Sequence, residues 1–168
     1  MNRGGSGEQA SLLREATYAN LRRALRECPD PVYRLRAAWL APCALGESHV
    51  VNGSLQSVTL IYGSWDTDQP HVRVTTWRDL PGEDFLPDTP AELLAAAASE
   101  PAAVDIAGDT AQASLVRLPS SSWLLRVRGA DLHLIASGHG LLGDLSFVPV
   151  ADLEAEIDAR RTVLSQRS

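Results

Sequence analysis

Lysine is missing from this chain: all 15 basic residues are arginine. That excludes chemistry needing an ε-amine, including Schiff bases, pyridoxal phosphate anchoring and the phosphate-binding lysine of P-loops and kinases. Arginine stays charged and forks onto carboxylates or phosphates, so it recognises more often than it catalyses. An all-arginine basic set reads first as the coding habit of a GC-rich bacterial genome. Phenylalanine (2), methionine (1) and cysteine (2) are also scarce. The core must therefore come from Leu, Ala and Val, with the 4 tryptophans as large anchors.

The two cysteines, Cys28 and Cys43, form no CxxC pair, and the opening Met1 to Gly7 has no apolar segment of a secretory signal. Reduced thiols and a cytoplasmic location are the expectation. No apolar run approaches the roughly 18 residues that a spanning helix needs, so no membrane association is expected. A net charge of −6 leaves no basic field for sequence-blind nucleic-acid binding. It suits a soluble protein, or one whose partner is basic.

What is present reads as one domain of 168 residues. Residues 1–7 form a glycine-rich tail expected to be disordered, and 8–168 the domain. From Glu8 to Cys28, Tyr18, Leu21, Leu25 and Cys28 fall on one helical stripe, ended by Pro29 and Pro31. Residues 32–52 fit either a strand or a helix. Ser57–Tyr62 and His71–Trp77 are β-rich and form a hairpin around a polar loop. Thr89-Pro-Ala-Glu92 is a capping box that starts a second helix running to about Ser99, stopped by Pro101.

Strands are then predicted at Ala111–Leu118, Trp123–Arg128, Asp131–Ser137 and Leu145–Val150, and a closing helix from about Ala151 to Ser165. Gly129-Ala130 suits a two-residue turn. That register sets Val127 opposite Leu132, Leu125 opposite Leu134 and Trp123 opposite Ala136 on an apolar face. On the other face it matches Arg128 with Asp131 and Arg126 with His133. These elements add up to an α+β fold: a single domain with a twisted antiparallel β-sheet of about five to seven strands, flanked by N-terminal, central and C-terminal helices.

Several motifs invite chemistry. Gly138-His-Gly140-Leu-Leu-Gly143 has the dinucleotide spacing, but the residues after it read as a strand, whereas the pyrophosphate needs a helix N-terminus. It is expected to be a turn, and no cofactor is expected. His139 and Asp144, with Ser137 and Ser146 nearby, are the candidate catalytic residues, although no Gly-x-Ser-x-Gly elbow exposes a nucleophile. Arg117, Arg126, Arg128 and His133 are candidate ligand-binding residues, a cradle for an anion on one sheet face.

Trp65, Asp66 and Asp68 are candidate partner-binding residues, because a large aromatic in a polar loop is a typical interface anchor. The four histidines have neither HxH nor HxxxH spacing, so no metal site is expected. The sequence thus favours a non-catalytic cytoplasmic protein-interaction domain of the accessory, adaptor or neutralising kind. A small-ligand-binding domain using the Arg/His face comes second, and a small hydrolase or isomerase third. Open sheet edges would also permit a homodimer.

Overall fold

The computed structural model describes residues 23, 26, 31–36, 42–51, 54–64, 69–77, 98–119, 121–128, 133–140, 142, 144–152, 154–156 and 158–160. Side chains are described for these except at 42–51, 54, 55, 128 and 133. Nine strands form one sheet: β1 (Tyr33–Leu35), β2 (Pro42–Val51), β3 (Ser54–Gly63), β4 (His71–Trp77), β5 (Ser99–Ile106), β6 (Asp109–Arg117), β7 (Ser122–Arg128), β8 (His133–His139) and β9 (Ser146–Pro149). Their order is β1-β9-β5-β6-β7-β8-β4-β3-β2, and every pairing is antiparallel except β5 with β9.

The sheet curls into a nearly closed, barrel-like shape. Beyond the hydrogen-bonded ladder, β1 reaches back to the far side: the Tyr33 N–H donates to Thr76 Oγ1 (3.0 Å) and the Leu35 N–H to the Tyr62 hydroxyl (3.3 Å). Side chains alternate across each strand, so every second residue points inward. Leu35, Leu60, Val74, Leu125, Ala136 and Phe147 meet there, none more than 2% exposed. Burying each large apolar side chain contributes about 1.5–3 kcal/mol, which makes this interior the main source of stability.

This architecture corrects the α+β expectation of a twisted antiparallel sheet of about five to seven strands flanked by three helices. The reason is pairing that local propensity does not reveal. Segment 42–51 contains Pro, Gly and Glu, yet it forms β2 because β3 supplies its ladder, with register shifts that absorb the poor fit. Ser99–Ile106, read as a helix end and a breaker, is a strand held by eight residue pairs to β6. The expected central helix before Ser99 and most of the N-terminal one lie outside the described residues; Arg23 and Arg26 are helical.

The C-terminal segment is helical at 154–156 and 158–160, and Asp152 caps it by accepting the Ala155 N–H (3.0 Å). Its Arg160 is 1% exposed. The guanidinium donates to the Ile61 carbonyl (2.7 Å) and to Glu156 (2.7 and 3.0 Å), and lies 4.5 Å from the centroid of the Tyr62 ring. Burial raises the Tyr62 hydroxyl above its ordinary pKa, although the nearby Arg160 charge opposes the shift.

The β7–β8 hairpin corrects the expected register. Val127 faces Leu134, Leu125 faces Ala136, Trp123 faces Gly138 and Arg128 faces His133, an offset of two residues. A slip of two keeps each residue on its face, so the apolar pattern cannot detect it. The deciding contact is Trp123 against Gly138: a Cβ at Gly138 would lie 2.4 Å from the indole and 2.7 Å from the His71 carbonyl oxygen. Only glycine fits beneath that ring. The other face also departs from the expected charge matching, because Arg126 faces Ile135. There Trp77, Val116, Leu124 and Ile135 form a second buried cluster.

Candidate functional site

Three places could carry function. The first is a row across one end of the sheet, where Gly63, His71, His139 and Ser122 are cross-strand neighbours. The imidazoles of His71 and His139 stack at 6.2 Å between centroids, 13° from parallel. His71 is buried, and its Nδ1–H donates to the Gln69 carbonyl (2.9 Å). His139 is half-buried and has Ser122 Oγ 3.4 Å from its Nδ1. Backbone angles are unusual here: Gly63, Gly140 and the non-glycine Ser121 all have positive φ, and the Gly140 N–H donates to the Ser121 carbonyl (3.0 Å).

The row does not assemble a nucleophilic triad. Ser122 meets Nδ1, the nitrogen that a triad turns toward its carboxylate, and the contact is long. Asp144 is exposed, and among the described residues no carboxylate bonds His139. A shared metal ion fits no better. A zinc site takes three or four protein ligands, and the stacked pair supplies two. Among the described residues no group of three or more His, Cys, Asp or Glu could hold a metal ion. Gly138 and Gly140 of the dinucleotide-like motif serve Trp123 packing and a positive-φ turn.

The second place is the outer face of β4, β8 and β7. Arg126, Arg128 and His133 share that face by register. Arg117 does not: it aligns with Trp123 on the opposite parity, and its exposed side chain bonds Glu100 (3.0 Å). The structure thus splits the expected anion cradle. It adds Arg73, which lies beside Ser137 on β8 and is half-buried like Arg126. Sequence reading missed Arg73 because the partner strands lie some sixty residues away. The signal was nevertheless there, since the alternation in His71-Val-Arg73-Val-Thr75 places Arg73 opposite the core residues Val72 and Val74.

The third place is an arm formed by β5 and β6. Ser99, Glu100, Pro101 and Ala103 are exposed on one strand, and Asp109, Thr110, Gln112 and Arg117 on the other. The tip, Ala107-Gly108, has φ of 56° and 101°, the two positive values of a type I′ turn, and Asp105 Oδ1 accepts the Gly108 N–H (2.9 Å). On its outer side β5 meets β9 only at Asp105 and Ile106, so among the described residues 99–104 have no strand partner there. Sequence reading missed this feature with the strand itself. Trp65, Asp66 and Asp68, the expected partner-binding residues, lie outside the described residues.

No protein family, no curated protein and no solved structure matches this chain. Among the described residues no helix is long and apolar enough to cross a membrane.

Proposed function

We propose that this chain is a non-catalytic protein-binding domain, acting in the cytoplasm, that engages its partner through the β5–β6 arm. One observation carries the reading. The arm is a fully registered ladder of eight pairs whose turn and one run of side chains, Ser99, Glu100, Pro101, Ala103, Asp109, Thr110 and Gln112, are exposed. A hairpin anchored to the core on one side and exposed on the other presents a preorganised surface at small entropic cost to binding. Exposed Asp109 and the chain's net charge of −6 favour a basic partner surface, Glu100 being paired with Arg117.

The test is affinity capture from host lysate with the wild type, a Gln112→Arg/Ala103→Arg arm variant and Trp65→Ala side by side, each checked for an unchanged melting temperature. A stoichiometric partner lost only with the arm variant supports the reading; one lost only with Trp65→Ala moves the surface to the 65–68 loop. A second reading, a small anionic ligand on the outer face, is favoured by Arg73 and Arg126 sharing that face. A rise in melting temperature with carboxylate or phosphate compounds, abolished by Arg126→Ala, would favour it instead.

A further inference from the structure

We propose that Pro101 is a built-in guard that stops the free edge of β5 from pairing with a second copy of this chain. The inference is independent of which partner the arm binds. It begins with which backbone groups point outward. The two-residue turn Ala107-Gly108 makes its flanking residues, Ile106 and Asp109, a hydrogen-bonded pair. Bonded and non-bonded pairs alternate, so Val104, Ala102 and Glu100 also direct their N–H and C=O groups to β6. Residues 99, 101, 103 and 105 therefore direct theirs away from it.

The far side of the strand agrees. The Ala107 N–H, of the same parity, donates to the Phe147 carbonyl of β9 (2.8 Å), and Asp105 aligns with Ser146. In this parallel register β9 begins only at Ser146, opposite Asp105, so among the described residues no strand pairs with the outward backbone donors and acceptors of residues 99–104. Such an edge is a template for another strand. In the middle of that row stands proline, which has no N–H to give. Pro101 is exposed, so its ring is no part of the core, and its outward parity means that the β6 ladder loses nothing by it.

For two copies pairing antiparallel about residue 101, each proline would face the other and both hydrogen bonds of that central pair would be absent. A residue with an N–H would restore two bonds at once.

The experiment measures self-association of the full chain by sedimentation velocity over a concentration series, with circular dichroism and melting temperature to confirm folding. Pro101→Val is expected to associate about tenfold or more tightly than wild type, the gain from two restored bonds of ordinary strength. Pro101→Thr, less apolar but equally able to donate, is expected to do the same. Pro101→Val/Ala103→Pro moves the missing donor one outward position along and should return the chain to wild-type behaviour. Ala102→Pro, which removes a donor to β6, should lower the melting temperature more than Ala103→Pro does. Equal self-association of wild type, Pro101→Val and Pro101→Thr would overturn the proposal. So would equal melting losses for Ala102→Pro and Ala103→Pro, because the assumed parity would then be wrong.

Discussion

The β7–β8 and β5–β6 hairpins have similar antiparallel ladders and opposite surroundings. In β7–β8, Trp123, Leu124, Leu125 and Val127 are all buried, so the hairpin is covered on both faces. In β5–β6, Val104, Leu115 and Val116 are buried, and most of the rest faces solvent. Backbone hydrogen bonds exchange for bonds to water and contribute modestly, about 1 kcal/mol each or less. Apolar burial separates the two. The first hairpin is buried on both faces, while the second buries Val104, Leu115 and Val116 and exposes the rest of its surface to a greater degree.

Substitutions that break this contrast should do so in order of burial. The largest effect is expected at the covered hairpin. Gly138→Ala drives a methyl group against the Trp123 indole and the His71 carbonyl, with an expected loss of about 3 kcal/mol or more by urea denaturation. Leu125→Ala should cost about 2–5 kcal/mol in the same measurement, as for large-to-small changes in close-packed cores. A loss under 1 kcal/mol for both would mean that this hairpin is not the structural centre.

Next comes the C-terminal clip. Arg160→Met keeps the length of the side chain but leaves the Ile61 carbonyl and Glu156 without their donor, with an expected cost of about 2–4 kcal/mol. Tyr62 adds a dependence on alkaline pH. Its folded-state pKa is raised, so the unfolded chain releases this proton first as pH rises. The contribution is full below the unfolded value of about 10 and is lost as pH rises through the folded value. Tyr62→Phe should flatten that alkaline decline in a melting-temperature profile; an unchanged slope would assign the decline to other groups.

The smallest effects are expected on the arm. Ala107 adopts a left-handed conformation that Asn tolerates better, so Ala107→Asn should stabilise by a few tenths to about 1 kcal/mol. Gln112→Arg should stay within about 0.5 kcal/mol, as for exposed positions generally. A large loss from Gln112→Arg would show that the arm is packed after all, and the contrast between the hairpins would fail.

Particular residues show why the sequence was legible in some places and not in others. His71–Trp77 alternates cleanly and was read as the strand it is, paired to β3 as expected. Leu145–Val150 likewise contains β9. β5 was illegible because Pro101 and its run of alanines match no strand pattern, although an edge strand tolerates both. The stacked His71 and His139 lie too far apart in sequence for any local motif to connect them.

By itself the sequence determined the alternation that sorts residues to two faces, the C-terminal helix and the net charge of −6. These are local or additive properties, set by neighbouring residues or by simple summation. The tertiary structure decided the closure toward a barrel, the two-residue offset of β8, the splitting of the arginine set and the exposure of the arm. Each depends on which strand lies beside which. That choice is settled by long-range packing, such as one indole over one glycine, and a period of two residues carries no record of it.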